Sequence, residues 1–300
     1  MPHDDDLPNF RKLGRFERFI LGALGVVGAL FAVSTATGML EAAAHRTELL
    51  SRRDALGGQL PDEALSVPRR VSSFAVELAG RTDVPDFAAP SASAVLARPG
   101  VYLRVLAPHA RSEDEVRRAA PLSSKDAFAS CLLRASRPSD EHAGSPCEPG
   151  TACAGDATGR LTNLRVLFEA AHPFEAAWAE DAERADRLRL TVLGAELDRV
   201  ARDLPRTTRL AQEAGYAMVV VDEVPPGFVM PWFETGLEAV TKVPHAARIG
   251  VLDLASGDVV LEARVRADDA PVGESGSRAV LRQVQGCGLG LRVAEKLAAR

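Results

Sequence analysis

The sequence predicts an α+β protein: one N-terminal transmembrane helix, then an extracytoplasmic domain in which an antiparallel sheet of about four strands is packed by a long helix and a C-terminal helix. Three observations predict it. Phe19 to Leu40 is a run of 22 residues without a charge. Val101–Leu106, Ala217–Val221 and the paired segments within Arg248–Arg266 have strand composition. From Pro173 to Asp203, apolar residues recur at steps of three and four.

The uncharged run, FILGALGVVGALFAVSTATGML, is polar only at Ser34, Thr35 and Thr37. A helix of this length rises about 33 Å, enough to cross a hydrocarbon core of roughly 30 Å. Arg11, Lys12, Arg15 and Arg18 precede it closely, while Arg46, Arg52 and Arg53 follow at a greater distance. The positive-inside rule then places residues 1–18 in the cytoplasm and everything after residue 40 in the periplasm, as a single-pass inner-membrane protein. The alternative is a secreted protein released from a signal peptide, because Ala42-Ala43-Ala44 fits a small-x-small cleavage pattern. An apolar core of 22 residues is long for a signal peptide. Gly25 with Ala29, and Gly28 with Ala32, place small residues four apart, a spacing that permits a homodimer through this helix.

Residues 41–99 read as a helical and Pro-rich tether. Helix continues from Glu41 to Leu56, Gly57-Gly58 stops it, and prolines at 61, 68, 85, 90 and 99 punctuate the rest. The folded domain is expected over residues 100–300. VYLRVL at 101–106 is a strand, and Ser123–Arg134 a short helix. Arg137–Gly159 is a loop, and Leu161–Ala171 is helical. Pro173 opens a helix of about 30 residues that Pro205 ends, with Leu190, Leu193, Leu197, Val200 and Leu204 along one face. Glu180–Arg184, Glu183–Arg187 and Asp198–Arg202 are expected as i,i+4 ion pairs. A shorter helix follows over Thr207–Ala214.

Ala217–Val221 (AMVVV) reads as a strand buried on both faces. Ala255-Ser256-Gly257 joins two strands, the second of which alternates with one wet face. Ser277–Ala299 reads as helix from Val280, Val284, Cys287, Leu291, Ala294 and Ala298, although Gly286, Gly288 and Gly290 each cost about 1 kcal/mol relative to Ala there.

Composition narrows the function classes. The net charge is −5 and aromatics are 5%, so neither a positive field nor a stacking platform points to nucleic acid. Arg outnumbers Lys 32 to 4 in a chain rich in Ala, Gly and Pro, the signature of a GC-rich bacterial coding composition. The chain has no P-loop and no H-E-x-x-H; Gly286-Cys-Gly-Leu-Gly290 lacks the spacing of a dinucleotide loop, and Gly273–Ser277 misses the nucleophile elbow. The six histidines are scattered, and no cofactor or metal site is expected. Cys131, Cys147, Cys153 and Cys287 form an even set, expected as disulfides in an oxidising compartment, with Cys147–Cys153 and Cys131–Cys287 one of three connectivities.

Two features carry what functional signal there is. Asp222-Glu223 follows the buried strand, but consecutive residues of an extended chain point to opposite sides and do not make a ready acid/base pair. Val224–His245 is an unusually long connection containing Phe228, Met230, Trp232 and Phe233, candidates for a partner surface or for a lid on the core. The leading expectation is a membrane-anchored bacterial envelope protein whose outer domain binds another envelope protein or organises an assembly. The alternatives are an anchored envelope hydrolase with its site near Asp222 and Glu223, or a purely structural disulfide-stabilised domain.

Overall fold

The computed structural model describes residues 15–81, 86–123, 127–135, 161–231, 235–266 and 278–298. These form a mixed α+β fold around a six-stranded sheet. The strands are β1 (Phe87–Ala88), β2 (Gly100–Leu106), β3 (Leu161–Asn163), β4 (Tyr216–Asp222), β5 (Ala246–Asp253) and β6 (Val259–Arg266), in the order β1-β6-β5-β4-β2-β3. The expected sheet of about four antiparallel strands is corrected on two counts. β2 is parallel to both β3 and β4, whereas β4, β5, β6 and β1 pair antiparallel. Composition and alternation mark β2 and β4 as strands but not the direction in which they pair, and β3 is only three residues long, too short to carry a period. It opens the segment expected as a continuous helix from Leu161.

Among the described residues, ten α-helices accompany the sheet: α1 (Arg15–Gly57), α2 (Asp62–Gly80), α3 (Ala92–Leu96), α4 (Glu113–Ala119), α5 (Ala127–Ala135), α6 (Arg165–Ala171), α7 (Ala176–Arg184), α8 (Arg187–Glu213), α9 (Gly236–Val240) and α10 (Arg278–Ala298). β4 alternates cleanly. Ala217, Val219 and Val221 join a core built with α2, α4 and α6, while Tyr216, Met218 and Val220 join one built with α3, α5 and α10. Both faces are therefore covered, which explains the unbroken apolar run of AMVVV.

Residues 62–81 and 86–99, expected as tether, are part of this body. Val67, Val71, Phe74, Ala75 and Leu78 line one face of α2 and are buried in the first core. Pro68 is accommodated in the second turn of α2. Phe74 needs Gly250 beneath it, since a Cβ there would lie 2.4 Å from the Phe74 ring. Likewise β1 pairs with β6, and Val95 and Leu96 of α3 enter the second core.

A third core joins the C-terminal part of α1 to α7 and α8, through Leu49, Leu56, Trp178, Ala182, Leu190, Leu193 and Leu197. The Trp178 indole donates to Glu196 at 2.9 Å, and the Arg53 guanidinium lies 6.0 Å from its ring. The long helical stretch after Pro173 is broken at Ala185-Asp186, where Asp186 caps α8 by accepting from the Arg189 amide at 2.8 Å. That break removes the Glu183–Arg187 pair, while Glu180–Arg184 forms at 3.0 Å. Asp198 turns instead to Arg52 of α1. Pro205 does not end the helix: α8 runs through it to Glu213, because Leu197 and Val200 before it and Thr207 and Ala211 after it are buried on the same side.

At the C-terminus the glycines have a packing reason. α10 crosses α5 so closely that a Cβ on Gly290 would sit 2.5 Å from the Phe128 carbonyl oxygen. The Cys131–Cys287 disulfide locks the two helices at that crossing, with a Cα–Cα separation of 5.2 Å. Cys147 and Cys153 lie outside the described residues.

α1 contains the whole uncharged run. Most side chains of Phe19–Leu40 lie outside the described set; those of Ile20, Ala23, Leu24, Val26, Val27 and Leu40 are described and all are exposed. Among the described residues, no helix is long and apolar enough to cross a membrane.

Candidate functional site

Strand order gives the place to look. The chain passes from β2 to β3 on one side and then to β4 on the other, so the order reverses at β2. In open sheets of this kind, ligand sites form beyond the carboxyl ends of the strands at such a reversal. The carboxyl ends of β2 and β4, Leu106 and Asp222, are paired in the ladder.

Asp222 is fully buried there and is not alone. Its carboxylate accepts two hydrogen bonds from Arg104, Nε to Oδ2 at 2.6 Å and Nη2 to Oδ1 at 2.8 Å. Arg104 and Asp222 lie on the same sheet face because Arg104 pairs with Val220, two residues before Asp222. His245, just before β5, completes the cluster with Nε2 at 2.8 Å from Asp222 Oδ1. Its Nδ1 donates to the Val243 carbonyl at 2.7 Å, which fixes the ring orientation. The Arg104 amide donates to Ser123 Oγ at 2.9 Å. The side chains of Arg104, Asp222 and His245 have no exposed surface. Burial pushes the Asp222 carboxyl up, but the adjacent Arg104 charge and the hydrogen bonds from Arg104 and His245 outweigh it and hold it well below the usual carboxylate range.

Glu223 points the other way, as alternation in an extended chain requires. It accepts from Arg248 Nε at 2.8 Å and from Arg264 Nε and Nη2 at 2.9 and 2.7 Å. The Arg264 hydrogen bond lowers its carboxyl, burial works against this, and Arg248 lowers it further. The two neighbouring carboxylates thus sit on opposite faces, each neutralised by arginine. This arrangement is an ionic clamp between strands.

Described parts of the long connection after β4 pack at the end of β2. Phe228 and Val224 pack against Leu106, Leu237 and Val240, so α9 and Phe228 close the end of the sheet as a lid. Beyond Phe228 the chain faces outward: Val229 is 84% exposed and Met230 44%, with the Met230 thioether lying against Gly236. Of the four aromatic and Met candidates, Phe228 is therefore part of the lid and Met230 is at the surface; Trp232 and Phe233 lie outside the described residues.

Asp222 and Glu223 stand out in the sequence; Arg104 and His245 do not. A signal existed for Arg104. A single charge inside VYLRVL, in a strand with apolar neighbours on both sides, must find a buried partner of opposite sign. His245 carried no such signal, because its partner is 23 residues away in sequence. Among the described residues no group of three His, Cys, Asp or Glu is placed to hold a metal. No family model, no curated protein and no solved structure matches this chain.

Proposed function

We propose that the chain is a single-pass membrane protein of the bacterial envelope whose outer domain is a binding or assembly module. Phe19–Leu40 is the anchor: it is uncharged, continuous with one helix, and its described side chains from Ile20 to Val27 and at Leu40 contact no core. The Cys131–Cys287 bridge fits an oxidising compartment on the far side of that membrane.

The observation that carries the binding reading is the state of the sheet end. The carboxylates there are bound internally by arginine, while Val229 and Met230 project outward beside them. Exposed apolar side chains on a braced loop are suited to a protein partner. Replacing Val229 and Met230 with Ser is expected to leave the melting temperature nearly unchanged, since surface changes are worth within about 0.5 kcal/mol. The same change is expected to abolish co-purification of a defined envelope partner from detergent-solubilised membranes. Unaltered co-purification by the variant removes this surface as the binding site.

A further inference from the structure

We infer that the α7–α8 turn is a second membrane contact, with Leu188 and Val192 inserted at the headgroup boundary of the bilayer that holds α1. This rests on the anchor reading of Phe19–Leu40. Ion pairs fix the level of the turn. Glu41, the first charged residue after the uncharged run, lies 3.7 Å from Arg187 at the start of α8. Eleven residues further along both helices, Arg52 pairs with Asp198. Equal steps on each helix mean that α1 and α8 run side by side in the same direction, so α8 begins where the uncharged run ends.

The turn is fastened at that level. Arg46 of α1 donates to the carbonyls of Ala182 and Ala185 at 3.0 and 3.1 Å, tying down the end of α7. Leu190, Leu193 and Leu197 face inward to the bundle, which leaves Leu188, 75% exposed, and Val192, 43% exposed, one turn apart on the outer face. Leu40, the last residue of the uncharged run and next to Glu41, is likewise exposed. Arg184 is paired with Glu180 and Arg189 with Asp181, so the turn offers no surplus of positive charge to anionic lipid. Apolar insertion is therefore the mode of contact, and a zwitterionic bilayer suffices.

The full-length protein reconstituted in phosphatidylcholine vesicles tests this, with a benzophenone side chain introduced in turn at Leu188, Leu24 and Leu291. Leu291 is exposed on α10, which packs on the opposite sheet face from α2. Lipid adducts are expected at Leu24 and Leu188 and not at Leu291. Adducts at Leu24 with none at Leu188 overturn the second contact and leave the anchor standing. No adduct at Leu24 removes the anchor reading itself, and equal labelling at Leu291 overturns the specificity of the Leu188 contact.

Discussion

Arg104 and Asp222, 118 residues apart in sequence, meet as a two-point ion pair with no exposed surface, one from each of two parallel neighbouring strands. The pair ties the end of β2 to the end of β4, and His245 extends the tie to β5. A buried pair of this kind gains little over well-packed apolar side chains, but losing one member leaves a charge stranded in a low-dielectric interior.

Removing either partner alone is therefore expected to be severe. Asp222→Asn or Arg104→Met should each cost about 3–5 kcal/mol, a fall in melting temperature on the order of ten degrees for a domain of this size. The double replacement Arg104→Met with Asp222→Leu should cost clearly less than the sum of the two single changes. Chemical denaturation of the four proteins measures this, and strict additivity would show that the two side chains do not act together.

Stability should depend on pH at both ends of the scale. Asp222, Glu223 and Asp253 lie below their ordinary range in the fold: Asp222 and Asp253 despite burial, through their arginine partners and, at Asp253, the Ala255 amide; Glu223 first through Arg264. The unfolded chain takes up those protons first as pH falls, so their contribution is complete above about pH 4 and is lost progressively below it. Tyr216 has the opposite sign. Burial pushes its phenol up to about 12, and its hydroxyl has no hydrogen-bond partner among the described residues. Its contribution is complete below the unfolded value of about 10 and is lost as pH rises towards 12. Urea midpoints should fall on both sides of a broad plateau, and Tyr216→Phe should flatten the alkaline limb. An alkaline limb unchanged in that variant would assign it to other groups.

Reduction should weaken the α5–α10 crossing. The Cys131–Cys287 bridge closes a separation of 156 residues. Its loss, by reductant or as Cys131→Ser with Cys287→Ser, is expected to cost about 2–5 kcal/mol. Hydrogen exchange should localise the change to α5 and α10, because the bridge joins those two helices directly. Equal loss of protection across β2 and β4 would instead mark the bridge as a global constraint.

Local chemistry made part of this protein legible from its sequence. The hairpin at Asp253–Val259 was visible because Gly257 needs a φ of 81° and Asp253 accepts from the Ala255 amide, both short-range effects. AMVVV announced a strand covered on both faces, and the apolar spacing of α10 outweighed its glycines. The opposed directions of Asp222 and Glu223 also followed from backbone alternation alone. The tertiary structure decided the rest, because it depends on contacts between distant segments. Three residues of β3 carry no pattern of their own and become a strand only by pairing with β2. Residues 62–80 look like a linker until Gly250 opens room for Phe74. Pro205 stays within α8 because packing on both sides offsets the lost hydrogen bond. Arg104 and His245 acquire their role only when two parallel strands and a loop bring them to Asp222, a meeting that no local signal encodes.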